Sequence, residues 1–308
     1  MIFVDAALDK RSPRVSIGMP VRNCQDTLQP ALQSLLAQTY TSWELLLIDD
    51  GSQDETVQIA RQFADPRIKI SSDGQWLGIS ARLNQAIAAA RGEYFARMDG
   101  DDVAYPDRFE LQVAYMDTHE DVDLVGSAAM VFDSNGKPLG RRGCPERHEE
   151  ICRRPIAGFR MIHPTFLGRL DWFKAHYYDH RAHSAEDQEL LLRAHKRSRF
   201  ANFSDILLGY REPSLALRRN LGRRWSFAVS ALRYVQSEGD SYLSLSPMLL
   251  KQLVSSALDI VAIGTGLNYR LLHHRAGPAS AEEILAWRRV WNSVQAQTSP
   301  AGSAPHGP

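Results

Sequence analysis

Over residues 15 to 100 the apolar residues alternate between two periods, short unbroken runs and helical stripes, and this alternation admits few architectures. VSIGMP (15–20) and WELLLIDD (43–50) are the first two runs, and the continuous Leu45-Leu46-Leu47-Ile48 suits a strand covered on both faces. Between them Leu28, Leu32, Leu35 and Leu36 share one helical face. Ser52 to Glu55 reads S-x-x-E, a capping box, ahead of a helix with Val57, Ile59, Ala60 and Phe63 as its apolar residues. RIKISS (67–72) is strand-like, Ile79, Leu83, Ile87 and Ala90 form another stripe, and EYFARMDG (93–100) returns to strand. The order β-α-β-α-β-α-β predicts an α/β fold, a doubly wound, mostly parallel sheet flanked by helices with right-handed crossovers.

Acidic residues gather at the ends of two of these strands. IDDGS closes the second and MDGDD the fourth, which puts Asp50 and the trio Asp99, Asp101 and Asp102 at carboxyl ends, where open α/β sheets bind ligands. Adjacent carboxylates repel, so a folded chain converges them when a cation or a set of donors offsets the charge. Two acidic strand ends facing one crevice point to a divalent cation. The chain has no G-x-x-x-x-G-K-[ST], and no G-x-G-x-x-G follows the first strand. A phosphate here is therefore expected to be bridged mainly by Mg²⁺ or Mn²⁺, which take a few carboxylates together with phosphate oxygens.

Composition limits the partners. With 36 basic against 36 acidic residues, bulk charge predicts no nucleic-acid partner. Cys24, Cys144 and Cys152 are an odd number without metal-ligand spacing, which argues for a reducing compartment. MIFVDAALDKRSPR carries charge where a signal peptide needs an apolar run, so a cytoplasmic location is expected.

VSIGMPVRN, SLLAQTYTSWELLLIDDGSQDET, LGISARLNQAIAAARGEYFARMDGDDVAYPDRFELQ, MIHPTF and AEDQELLLR, in that order, resemble the family 2 glycosyltransferases over roughly residues 14 to 212. The resemblance implies an inverting enzyme of GT-A fold. Such an enzyme transfers a sugar from a nucleotide-diphosphate donor to a hydroxyl of a carbohydrate or lipid-linked acceptor, with Mn²⁺ or Mg²⁺, in polysaccharide or glycolipid biosynthesis. It implies a catalytic domain over 1–213, with a nucleotide-binding half at about 14–100 and a metal and acceptor half at 101–213. Residues 214–297 then form a helical C-terminal extension and 298–308 a disordered tail.

Roles follow position by position. Pro20, Val21, Arg22 and Asn23, then Gly78 and Arg82, then Asp99 and Gly100 match positions around the nucleotide. Asp50 matches an acid that accepts from the nucleobase, although an Asp before Gly51-Ser52 also serves as an Asx-turn or helix-dipole residue. In the D-x-D, Asp99 matches the acid near the ribose and Asp101 the metal ligand, with Asp102 a turn residue or substrate contact. Asp187 matches the general base and Glu186 its support; acids opening a helix also serve simply as N-terminal charge. His163 matches a position touching substrate or metal, while a lone His before Pro is also a structural residue.

Two positions depart from the family pattern. Many relatives carry an aromatic and then Asn after the strand proline, with the ring stacked on the base; here Arg22 precedes Asn23, and a guanidinium also stacks on a base face. Where relatives have Tyr-Arg-x-His, this chain reads Tyr210-Arg211-Glu212-Pro213. A sugar-phosphate nucleotidyltransferase would also use acids and Mg²⁺, but it needs a Gly-rich basic loop where PVRNCQDT stands. A non-catalytic sugar-nucleotide binding protein is the remaining alternative.

Beyond this region Arg211, Arg218, Arg219, Arg223, Arg224 and Arg233 lie among Leu215, Leu217, Leu221, Trp225 and Phe227, with Glu212 the only acid. The segment suits either peripheral association with an anionic membrane at its inner face or a helix docked on the catalytic domain. LLKQLVSSALDIVAIGTGL (249–267) is the most apolar stretch, but Lys251, Gln252 and Asp259 make it a poor spanning helix. Ser280 to Glu283 is a second capping box, ahead of Ile284, Trp287, Trp291 and Val294 on one helical side.

Overall fold

The computed structural model describes residues 12–212, 217–265 and 276–296. Pro213, Leu215 and the tail 298–308 lie outside the described residues, as do the side chains of Leu217, Arg218 and Arg219. The strands β1 (Val15–Val21), β2 (Trp43–Asp49), β3 (Ile68–Ser72) and β4 (Tyr94–Arg97) pair in parallel in the order β3-β2-β1-β4. They alternate with helices α1 (Leu28–Leu36), α2 (Thr56–Arg61) and α3 (Ile79–Ala89), as the periodicity predicts. The Leu45–Ile48 run divides its side chains between two cores. Leu45 and Leu47 meet α1, α2 and α4 (Arg108–Thr118) on one face, while Leu46 and Ile48 meet α3 on the other.

Past β4 the sheet becomes mixed. Strand β8 (Leu167–Arg169) lies antiparallel between β4 and β6 (Leu124–Phe132), and β6 pairs in parallel with β9 (Phe200–Arg211). The short β5 (Val103–Ala104) and β7 (Pro138–Arg142) are antiparallel to β9 and β6. Two short helices, α5 (His148–Ile151) and α6 (Leu170–Ala175), precede α7 (Glu186–Ala194), which buries Leu190, Leu191 and Leu192 in the same core as α3.

One capping box forms and the other does not. Ser280 Oγ accepts from Glu283 N at 3.1 Å, and Glu283 Oε2 accepts from Ser280 N at 2.7 Å, at the start of α10 (Ala281–Ala296). The expected box at Ser52–Glu55 is a correction: α2 begins at Thr56 without a side-chain cap from Ser52. Ser52 Oγ instead accepts from Asn23 N at 3.0 Å, and Asp54 Oδ1 accepts from Thr56 N at 3.0 Å. The sequence pattern was right for a helix but the hydroxyl was claimed by the neighbouring strand end.

The C-terminal helices pack against this frame. From α8 (Leu217–Glu238), Phe227, Ala231 and Val235 enter the core shared with α7, and α9 (Ser246–Gly264) lies against α8. Helix α10 seals β6 and β9: Trp287 is buried beside Phe132 and donates from Nε1 to Gly136 O at 2.8 Å. At Gly209 a Cβ would come within 2.1 Å of the Trp287 ring, so only glycine admits the indole there. Among the described residues no helix is long and apolar enough to cross a membrane.

Candidate active site

Because β1, β2 and β4 are parallel, their carboxyl ends open on one edge of the sheet. At the end of β2, Asp50 is buried and Oδ1 accepts from Leu77 N at 2.7 Å and from Arg82 Nε at 2.9 Å. Gly78 N, where φ is +88°, donates to Oδ2 at 3.1 Å. Arg82 in turn holds Asp73 at 2.7 Å, which keeps that carboxyl down at about 2. Asp50, Gly78 and Arg82, expected around the nucleotide, thus meet one another and fix the 73–78 loop. Asn23, in the left-handed region at φ 50°, accepts through Oδ1 from Gln53 N at 2.9 Å and ties β1 to the β2 turn.

The loop fixed by Asp50 presents Trp76, which is 70% exposed, and Arg22 lies over its ring with the guanidinium carbon 4.2 Å from the centroid. Sequence reasoning found Arg22 and missed Trp76. The signal was a bulky aromatic in a glycine-flanked loop, DGQWLG, where burial was not available to explain it.

At the end of β4, Asp99, Asp101 and Asp102 each bring a carboxylate oxygen within 4.8 Å of the others. Burial and the neighbouring Asp99 push the Asp101 carboxyl up to about 6. Asp102 is raised well above the usual range by burial and by Asp101; its Oδ1 accepts from Arg211 N at 2.9 Å while Oδ2 is buried without a partner among the described residues. Hard oxygen donors, mutual repulsion and an orphaned buried oxygen together fit a Mg²⁺- or Mn²⁺-sized dication. Beneath the trio, buried Arg97 holds Asp99 Oδ1 at 2.5 Å. Gly100 packs over Val21: a Cβ would lie 2.8 Å from Val21 Cγ1. Pro20 is the penultimate residue of the same strand, opposite Ile48.

Across the site, α7 opens with Glu186 and Asp187. Asp187 Oδ2 accepts from Gln188 Nε2 at 3.2 Å. Glu186 is buried, its Oε2 has no partner among the described residues, and burial together with Asp187 pushes its carboxyl up to about 7. His163 is bonded to the Tyr178 hydroxyl at 2.9 Å, and its Nδ1 lies 3.9 Å from Glu186 Oε1. Burial holds this imidazole well below its ordinary value, so it is neutral. The two clusters are close enough to interact: Asp99 adds to the rise of Glu186, and the Tyr178 hydroxyl, raised chiefly by burial, is raised further by Glu186, Asp187 and Asp99.

Arg97, Tyr178 and Arg211 were not singled out for the site from sequence. Arg211, counted there with a basic surface segment, belongs to β9 and donates from Nε to Asp101 O at 2.9 Å, under the ring of Trp291. It reaches the D-x-D loop from the position that precedes the departure from Tyr-Arg-x-His.

The family model described as Glycosyl transferase family 2 matches residues 16–176. The chain is a family 2 glycosyltransferase. It is 32% identical over 260 residues to a Bacillus subtilis protein named as a glycosyltransferase, EpsE, covering 80% of this chain and 91% of that one. To the amylovoran biosynthesis glycosyltransferase AmsE of Erwinia amylovora it is 30% identical over 224 residues, 71% and 82% of the two chains. Among solved structures, the mannosyltransferase PcManGT from Pyrobaculum calidifontis, in complex with GDP-Man and Mn²⁺, matches with a TM-score of 0.56 at 16% identity. That match covers 96% of this chain and 89% of the mannosyltransferase, and it shows the GT-A fold with the helical C-terminal region included. Family and fold agree with the expectation from sequence.

Proposed function

We propose that this transferase moves a sugar from a nucleotide-diphosphate donor to an acceptor hydroxyl with inversion, using Asp187 as base and Asp101 with Asp99 as the seat of a divalent cation. The observation that carries the reading is the convergence of Asp99, Asp101 and Asp102 within 4.8 Å at the strand edge, near enough to the Glu186-Asp187 helix start for Glu186 to feel Asp99. Bound there, Mn²⁺ or Mg²⁺ would offset charge on the departing diphosphate. PcManGT, with GDP-Man and Mn²⁺ in the same fold, supports both donor class and ion type. The name of AmsE supports a place in polysaccharide biosynthesis.

The chain's own residues divide the work. Arg22, just past β1, and Trp76, on the loop that Asp50 and Arg82 hold in place, offer flat cationic and aromatic faces for the base. Asp187 takes the proton of the acceptor hydroxyl as that oxygen bonds to the anomeric carbon from the side opposite the leaving group. The anomeric carbon–oxygen bond to the diphosphate breaks, and its electron pair leaves with the nucleoside diphosphate. Glu186, its carboxyl pushed up to about 7 by burial and by Asp187, stands beside that base as its support. Loss of Mn²⁺-dependent donor binding in Asp101→Ala, with an unchanged melting temperature, is the expected outcome. Unchanged binding in a calorimetric titration would remove Asp101 from the reading.

A further inference from the structure

A cleft of about 1080 Å³ separates the 150–160 segment from α8 and α9, and its lining is cationic. Arg153, Arg154, Arg160, Arg223, Arg224 and Lys251 face it against one carboxylate, Glu150, which Arg147 holds at 2.6 Å. Arg224 is engaged by Asp259 at 2.8 Å. The other five have no ion-pair partner among the described residues, and all five are exposed. Like charges around a concave space focus a positive potential, and the species that lowers its energy is an anion. The inner wall carries Ala185 and Gln188, the residues on either side of Glu186-Asp187, and Gln188 donates to Asp187. An anion in the cleft therefore brings whatever it is attached to beside the proposed base.

Helix α9, which lines the cleft through Lys251, also carries an apolar face exposed among the described residues. On α9, Leu250, Leu253, Val254, Leu258 and Val261 recur at helical spacing and are each more than half exposed, from 53% to 69%. Lys251, a cleft residue, lies on the same helix beside the stripe. Cations flanking an exposed apolar stripe are the arrangement of a helix lying in an anionic interface, not of one turned to water.

We propose that the cleft and the α9 stripe together seat an anionic lipid, its phosphate group among the arginines and its chains on the side of the stripe, as the acceptor or the lipid that carries it. This deepens the transferase reading and rests on it for the word acceptor; the lipid site itself does not. The test is co-sedimentation of the full chain with vesicles of phosphatidylcholine alone and of phosphatidylcholine with phosphatidic acid, alongside donor titration with Mn²⁺. Capture by the phosphatidic acid vesicles alone is expected, weakened about fivefold by each of Arg153→Ala and Arg223→Ala and relieved by salt. The double change Leu250→Ser, Leu253→Ser is expected to abolish capture, with donor binding unchanged in every variant. Lys251→Gln and Leu258→Ser stand in for any variant that no longer melts cooperatively. Equal capture by both vesicle types, capture by neither, or full capture of the folded variants overturns the proposal. Absence of donor binding in the wild type would instead count against the transferase reading and leave the lipid result intact.

Discussion

Glu186 occupies a place where ionisation is costly. It is buried beside Asp187, one oxygen has no partner among the described residues, and its carboxyl is pushed from 4.5 up to about 7. The sign of the effect on stability follows. Below the ordinary value both folded and unfolded chains hold the proton; above it the unfolded chain releases its proton while the folded chain retains it, so stability falls until pH passes about 7. In metal-free buffer the melting temperature is expected to fall between about pH 5 and pH 7, and Glu186→Gln, which is neutral throughout, to flatten that fall. Equal slopes in scanning calorimetry would show that Glu186 ionises freely. The places of Asp50, Asp99 and Asp101 were legible in the sequence because each follows an apolar strand run, and that of Asp187 because it opens an amphipathic helix. Arg97 and Arg211 were not, because their roles arise from tertiary approach: the Arg211 N–H that meets Asp102 Oδ1 comes from 109 residues away.

Helix α10 shows how far an element can be read before its partner is known. The Ser280–Glu283 box and the spacing of Trp287, Trp291 and Val294 specify a capped amphipathic helix, and both are observed. What the apolar side covers was not in the pattern, since Phe132, Gly136 and Gly209 lie far back along the chain. Helix α2 shows the reverse, a correct helix with an incorrect cap, because Ser52 is drawn to Asn23. Trp287→Ala removes a fully buried indole and its bond to Gly136 and is expected to lower unfolding free energy by about 3–5 kcal/mol in urea titration. A loss under about 1 kcal/mol would mean that α10 contributes little to the body of the protein.

The molecule as a whole joins two kinds of sheet. The parallel half was legible because each strand is a short, mainly apolar segment between helical stripes; the mixed half, from β5 onward, was not, because no helical stripes of that regular kind separate its strands and its pairings are non-sequential. The junction of the halves is what creates the site. Parallel β2 and β4 deliver Asp50 and the trio Asp99, Asp101 and Asp102 to one edge, and α7, which follows β8, brings Glu186 close enough to feel the charge of Asp99. The account stands on Asp187 acting as the base at that junction. Asp187→Asn keeps the size of the side chain and its ability to accept from Gln188 while removing the proton acceptor. Donor affinity and sugar transfer measured on the same preparations of wild type and Asp187→Asn are expected to show unchanged affinity and a fall in kcat of about 10²- to 10⁴-fold; transfer near the wild-type rate would contradict the account.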